Sequence, residues 1–177
     1  MRRYVFVDRD DTLVRDTGYP HTREGYVLLP GVPAALRRLR DAGWRLAIVT
    51  NQSGIGRGYY GFDAFARFQA ILYADLAAAG VTIDATFVCP HLPDAGCPCR
   101  KPEPGLLFRA RDVLAAPLAE CWMIGDSERD VGAARSAGCR GVVRVGIASP
   151  SGAGDPHSLE ARDVPAAVEA ILRYGAP

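Results

Sequence analysis

Asp8 and Asp10 stand two residues apart in Asp8-Arg9-Asp10-Asp11-Thr12, directly after the apolar run Tyr4-Val5-Phe6-Val7. Two carboxylates this close repel, and burying both requires a cation. A hard divalent ion with oxygen ligands suits them, and Mg²⁺ is the usual one beside phosphate groups. With charge neutralised by that ion and by an ammonium group, Asp8 could attack phosphorus and form an acyl phosphate. Asp10 could protonate the leaving alkoxide and then deprotonate the water that hydrolyses the intermediate. Taken alone, Asp-x-Asp-x-Thr reads equally well as a solvated acidic turn after a strand.

Lys101 is the only lysine among the 21 Lys and Arg residues. A compact point charge on a slim stem suits a crowded phosphate pocket better than a planar guanidinium, although a leftover surface lysine is the plain alternative. Thr50-Asn51-Gln52-Ser53-Gly54 offers hydroxyls and backbone N–H groups that could hold phosphate oxygens; by itself it is also an ordinary polar turn. In Gly125-Asp126-Ser127-x-x-Asp130, Asp126 could complete a Mg²⁺ site and Asp130 support it, or the two could simply cap a helix.

Three of the five cysteines fall within residues 89–99 beside a histidine, as Cys89-x-His91-x5-Cys97-x-Cys99. Cys₃His is a ligand set typical of structural zinc with no open coordination position. Pro90, Pro93 and Pro98 stiffen a loop with no apparent core of its own. A Cys97–Cys99 disulfide would close a strained ring, and reduced, unliganded thiols are the remaining reading. Cys121 and Cys139 read as small buried hydrophobes.

Elements that would position these groups follow from periodicity and breakers. Strands are expected at Tyr4–Val7, Arg45–Val49, Asp84–Val88, Cys121–Ile124 and Gly141–Val145. Helices are expected at Pro33–Ala42, Phe62–Ala79, Pro104–Leu114, Arg129–Ala137 and Ala166–Tyr174. Phe65, Phe68, Leu72 and Leu76 form an apolar stripe read as core, while residues 9–31, 89–104 and 149–163 read as loops, the last as flexible. The alternation argues α/β architecture: a doubly wound parallel sheet with helices on both faces. Ligands bind such sheets at the carboxyl ends of the strands, and Asp8, Thr50, Cys89 and Asp126 each follow a strand there.

The bulk numbers bound the possibilities. A chain of 177 residues fits one domain, 1–177, with the zinc loop at about 89–99. Net charge is +1, and the densest basic cluster, Arg37, Arg38 and Arg40, lies on a helix where a solvated face is the expected reading. No apolar run could span a membrane, and Tyr4–Val7 is too short for a signal-peptide core. A cytoplasmic monomer with a small phosphorylated metabolite as partner, and no nucleic acid or membrane, is the expectation.

The order Asp8-x-Asp10-x-Thr12, Thr50, Lys101, Gly125-Asp126-x3-Asp130 resembles the haloacid-dehalogenase-like phosphatases over essentially the whole chain. The resemblance implies a Rossmann-like sheet of order 5-4-1-2-3 with Asp8 as nucleophile, Asp10 as general acid/base, and Thr50 and Lys101 holding the transferring phosphoryl group. It implies Mg²⁺ on Asp8, Asp126 and the main-chain carbonyl of Asp10, and no large cap domain. The Cys₃His loop before Arg100-Lys101-Pro102 narrows this to the group resembling heptose-bisphosphate and histidinol-phosphate phosphatases. There, Asp16, Thr17, Gly18, Tyr19, Thr50, Asn51, Gln52, Ser53, Arg100, Lys101 and Ser127 would contact substrate. Arg100 would engage the uncleaved phosphate or a sugar oxygen. The implied reaction is loss of the 7-phosphate from D-glycero-D-manno-heptose 1,7-bisphosphate, with histidinol phosphate as the alternative substrate. Asp11 stands where that family usually has Gly; aspartate tolerates positive φ, so the turn is expected to survive with added negative charge. Two readings of other classes compete: a receiver-like domain storing phosphate on an aspartate, which Asp10 argues against, and a zinc-stabilised nucleic-acid binder, which the near-neutral charge disfavours.

Overall fold

The computed structural model describes residues 3–150, 155 and 157–175. Its strands are β1 (Tyr4–Val7), β2 (Arg45–Asn51), β3 (Ala85–Cys89), β4 (Trp122–Gly125), β5 (Gly141–Arg144) and β6 (Ser158–Glu160). Its helices are α1 (Val32–Asp41), α2 (Ser53–Gly56), α3 (Phe62–Ala78), α4 (Gly105–Leu114), α5 (Glu128–Ser136) and α6 (Val164–Tyr174). The strands form one parallel sheet in the order β3-β2-β1-β4-β5-β6. The chain therefore starts at the centre of the sheet and winds outward in both directions, which brings the ends of β1, β2 and β4 side by side.

The period of two in each strand builds two cores. Val5, Val7, Leu46, Ile48, Ile124 and Val143 face α1, α3 and α6, where Leu36, Leu39, Phe68, Leu72, Val168 and Ile171 close over them. Tyr4, Phe6, Ala47, Val49, Met123 and Val142 face α4 and α5 through Leu106, Leu107, Ala110, Val131 and Ala134. The expected stripe Phe65, Phe68, Leu72 and Leu76 is buried. Because both faces of the central strands are covered, their polar groups can emerge only at the strand ends.

Two expectations need correction. Residues 149–163 do not read as one loop: Ser158–Glu160 pairs in parallel with β5, Leu159 opposite Val143. Three residues with one apolar side chain, Leu159 between Ser158 and Glu160, carry too little pattern to announce a strand; the exposed edge of β5 supplies the pairing. Residues 151–154 and 156 of that segment lie outside the described residues. The second strand also runs on through Thr50 and Asn51, which pair with Val88 and Cys89, and a single turn of helix, α2, follows where a plain polar turn was expected. Among the described residues no cap domain is inserted, and no helix is long and apolar enough to cross a membrane. The arginines of α1 are offset by acids: Arg37 pairs with Asp41, Arg38 with Glu169 and Arg40 with Asp84.

Candidate active site

β1 ends at Val7, and the alternation continues one step beyond it. Asp8 and Asp10 line a cavity of about 400 Å³, while Arg9 between them turns inward and is fully buried. The turn is closed by Asp11, whose φ of 52° is left-handed. Its carboxylate accepts the backbone N–H of Asp16 at 2.8 Å, so the residue standing in place of glycine has a bonding role that glycine lacks. Asp16 in turn accepts the N–H of Gly18 at 2.8 Å.

Lys101 reaches the same point from the loop before α4 and is 2% exposed. Its ammonium donates to Asp130 Oδ1 at 2.5 Å and to the Val49 carbonyl at 2.8 Å, and lies 2.9 Å from Asp8 Oδ1. Burial works against its charge, but the Asp8 and Asp130 carboxylates outweigh that penalty and hold the amine protonated. Asn51 fixes its backbone: Oδ1 accepts the Lys101 N–H at 3.1 Å and Nδ2 donates to the Lys101 carbonyl at 3.0 Å. Asp130 is fully buried and its second oxygen accepts the N–H and hydroxyl of Ser127, capping α5. Gly125 leaves the room for it, since a Cβ there would sit 2.2 Å from Asp130 Cγ.

One oxygen each of Asp8, Asp126 and Asp130 lies within 4.8 Å of the others. Both Asp130 oxygens already bind protein groups, so Asp8 and Asp126 are the pair left to hold a cation. Their electrostatics ask for one. Burial pushes the Asp8 carboxyl up to about 7, against the pull of Lys101 and with repulsion from Asp130 and Asp10 added. Burial, then Asp130, raise Asp126 as well. Hard oxygen donors short of positive charge fit Mg²⁺.

Gln52 and Thr50 complete the floor. Gln52 Nε2 donates to Asp10 Oδ2 at 2.6 Å and to Thr50 Oγ1 at 2.8 Å, while its Oε1 accepts from Arg9 at 2.9 Å and Tyr60 at 2.6 Å. The carboxamide is thus fully occupied by protein groups. Asp16, Gly18, Tyr19, Asn51, Gln52, Ser53, Arg100, Lys101 and Ser127 line the cavity with the aspartates. Thr17 and Thr50 do not line it; the Thr17 hydroxyl binds the Gly25 carbonyl, and Thr50 is buried beneath. Asp11, Pro20, Arg57, Pro93 and Arg129 also line it, though none of them was expected to contact substrate. Arg57, Arg100 and Arg129 add three arginines to a lining that also holds Lys101 and five aspartates.

The Cys₃His residues converge beside this wall. The Sγ of Cys99 lies 3.3 Å from that of Cys89, 3.5 Å from that of Cys97 and 3.2 Å from His91 Nδ1; Cys89 Sγ lies 3.7 Å from Cys97 Sγ and 3.6 Å from His91 Nδ1. Ligands about 2.3 Å from a tetrahedral centre stand roughly 3.8 Å apart, so these four atoms already approximate the corners of such a site. The free thiols form no disulfide. Arg100 donates to the His91 carbonyl at 3.2 Å, tying the loop to the cavity. Cys121 is buried, whereas Cys139 is only partly so.

A family model for haloacid dehalogenase-like hydrolases matches residues 6–138. The D-glycero-beta-D-manno-heptose-1,7-bisphosphate 7-phosphatase of Yersinia pestis is 36% identical, over 94% of this chain and 95% of that one. The D-glycero-D-manno-heptose-1,7-bisphosphate 7-phosphatase of Thermosynechococcus vestitus is 39% identical, over 99% of this chain and 98% of its own. Among solved structures, D,D-heptose 1.7-bisphosphate phosphatase from B. bronchiseptica, complexed with magnesium and phosphate, superposes with a TM-score of 0.86 at 32% identity, over 97% of this chain and 98% of that one. With the acidic strand ends, the buried lysine and the six-stranded sheet in place, the chain belongs to the haloacid dehalogenase-like hydrolases.

Proposed function

We propose that this chain is a Mg²⁺-dependent phosphatase that removes the 7-phosphate of D-glycero-D-manno-heptose 1,7-bisphosphate through an aspartyl phosphate on Asp8. The observation that carries this reading is the meeting of Asp8, Lys101 and Asp126 at one point of the cavity floor, in a chain whose relatives bear that activity in their names.

Asp8 and Asp126, with the Asp10 carbonyl, would hold the ion; bound there it screens the carboxylates and draws charge from the phosphoryl oxygens. Lys101 and Arg9 N–H hold Asp8 Oδ1, at 2.9 and 2.7 Å, leaving Oδ2 with no partner among the described residues. Asp8 attacks phosphorus, forming the O–P bond as the bond to the sugar oxygen breaks, and Asp10 gives its proton to that oxygen. Asp10 is suited to the task because burial raises its carboxyl above the ordinary range, although Arg9 and Gln52 oppose the shift. Water then attacks phosphorus, its proton passes to Asp10, and phosphate leaves Asp8 free. Thr50 accepts from Gln52 beneath the cavity floor, so its own hydrogen is left over; in this reading a phosphoryl oxygen that reaches below the lining residues would take it, while the Lys101 ammonium holds the group from the cavity side. Arg100 meets the phosphate that stays, with Tyr19, Asn51, Ser53 and Ser127 around the sugar. Asp16, Thr17 and Gly18 shape the wall.

Cys89, His91, Cys97 and Cys99 hold a structural zinc in this reading, supported by their near-tetrahedral spacing. Their reduced thiols suit the cytoplasm, where a monomer is expected. The histidinol-phosphate alternative has no observation of its own. Comparing kcat/KM on the two substrates, with metal analysis of the same sample, tests the reading. A roughly ten-fold preference for heptose bisphosphate, about 1.4 kcal/mol, is the least expected, and the reverse preference overturns the substrate. About one equivalent of tightly held zinc is expected.

A further inference from the structure

Arg9 is the largest charged side chain in the fully buried set, and the proposed reaction gives it no part. A guanidinium away from water needs a partner for nearly every N–H. Here Nε donates to Asp10 Oδ1 at 3.1 Å, and Nη2 donates to Asp10 Oδ2 at 3.2 Å, to Gln52 Oε1 at 2.9 Å and to the Pro20 carbonyl at 3.1 Å. Nη1 reaches Gln69 Oε1 at 3.5 Å. The guanidinium carbon lies 4.6 Å from the Phe68 ring centroid and 5.4 Å from that of Phe65. The apolar stripe of α3 is therefore also an aromatic seat for a cation.

We propose that Arg9 is a positioning residue: its buried fork grips both carboxylate oxygens of Asp10 and, with Gln52 and Tyr60, aims that carboxyl at the leaving oxygen without touching substrate. The grip is two-sided. Arg9 holds both oxygens, Gln52 Nε2 takes Oδ2 from across the cavity floor, and Tyr60 fixes the far end of Gln52 at 2.6 Å. Gly54 admits the Tyr60 ring, since a Cβ there would meet it at 2.3 Å. Asp10 is left with one direction open, toward the cavity it lines. Lysine could supply the charge but neither the bidentate fork nor the flat face that rests on Phe65 and Phe68.

The inference rests on the proposed role of Asp10 as the proton donor, and leaving-group chemistry separates the two. Alkyl phosphates need a proton on the departing oxygen; p-nitrophenyl phosphate does not. Because kcat/KM stops at loss of the leaving group, it is blind to the later hydrolysis step, and the alkyl-to-aryl ratio within it isolates the donor. The full chain and its Arg9→Met, Arg9→Lys and Tyr60→Phe variants would be assayed in saturating Mg²⁺ on heptose 1,7-bisphosphate, β-glycerophosphate and p-nitrophenyl phosphate. Arg9→Met is expected to lower kcat/KM on both alkyl esters by roughly 100-fold and on the aryl ester by less than about 5-fold. Arg9→Lys should recover part of that loss, and Tyr60→Phe should shift the alkyl-to-aryl ratio by roughly 3- to 10-fold in the same direction. If circular dichroism shows Arg9→Met unfolded, the same ratio in Arg9→Lys and Tyr60→Phe decides. Equal losses on alkyl and aryl esters in the folded variants would overturn the assignment and leave the phosphatase reading intact. Wild-type inactivity on all three esters would remove both.

Discussion

Lys101 and Asp130 form the most deeply buried ion pair among the described residues, 2.5 Å apart with side chains 2% and 0% exposed. Asp130 anchors the ammonium from below while Asp8 meets it from the cavity side at 2.9 Å. Removing one partner of a buried pair leaves the other uncompensated. Asp130→Asn is therefore expected to cost about 3 kcal/mol in urea unfolding and to lower kcat as Lys101 loses its anchor. A stability change below about 0.5 kcal/mol would mean that Lys101 is held by Asp8 and the Val49 carbonyl alone.

The candidate catalytic set was legible because its members stand at strand ends or are compositionally singular: Asp8 and Asp126 directly follow β1 and β4, and Lys101 is the lone lysine. Arg9 was not, although it stands between the two signal aspartates. In a chain of abundant arginines its type carries no information, and its burial depends on Phe65, Phe68 and Gln69 from a helix more than fifty residues away. Arg129 escaped for the same reason, and Arg57, part of the family-like run Thr50-Asn51-Gln52-Ser53-Gly54-x-x-Arg57-Gly58, was given no site role. Gln52 reads in the sequence as a substrate contact, whereas in the fold its amide is shared among Asp10, Thr50, Arg9 and Tyr60. Strand β6 is defined by the edge it completes and not by its own three residues.

Asp8, the proposed nucleophile, links activity to stability through pH. Burial lifts its carboxyl to about 7, from an ordinary 3.8. A group whose folded value is raised favours the fold while protonated; that contribution is complete below the unfolded value and is lost as pH rises through about 7. In Mg²⁺-free buffer the melting temperature should fall between pH 5 and pH 8. Added Mg²⁺ should restore more at pH 8 than at pH 5, since it binds the ionised form. Asp8→Asn should be inactive yet melt higher than wild type in Mg²⁺-free buffer at pH 8. Differential scanning calorimetry at the two pH values checks all three, and a variant less stable than wild type at pH 8 would contradict the electrostatic account.

The cysteine loop is gripped from both sides. Gly56 N–H donates to the Pro90 carbonyl at 2.9 Å, and Gly105 N–H donates to the Pro98 carbonyl at 3.0 Å. A Cβ on Gly56 would sit 2.6 Å from that Pro90 oxygen, a backbone atom that cannot swing aside. Cys99→Ser is expected to release zinc and lower the melting temperature, because a three-ligand site binds far more weakly. Gly56→Ala should keep the four ligands, and so the zinc, but displace the wall carrying Arg100 and raise KM. Metal analysis with kinetics on both variants checks this; full zinc in Cys99→Ser would show that Cys99 is not a ligand.

Asp11 separates a backbone role from a charge role. Its φ of 52° and its bond to Asp16 N–H are demands that asparagine meets equally well, with the same reach and the same tolerance of the left-handed region. Its negative charge is another matter, since it faces a cavity already lined by Asp8, Asp10, Asp16 and Asp126, and adds repulsion at Asp126. An anionic substrate entering that cavity meets one charge more than the fold requires. Asp11→Asn removes it and leaves the turn in place. In a solvent-open cavity a single charge at several Å is worth on the order of 0.5–1 kcal/mol, so KM should fall roughly 2- to 5-fold at saturating Mg²⁺. Raising the salt should shrink the difference, because screening acts on the wild-type repulsion. The melting temperature should stay within about 2 °C, since no hydrogen bond is lost. Asp11→Gly would relax φ but give up the acceptor for Asp16, and should share the lower KM while loosening the Asp16–Gly18 wall. An unchanged or higher KM in Asp11→Asn would mean that the charge is used by the substrate or by the cation, not merely tolerated.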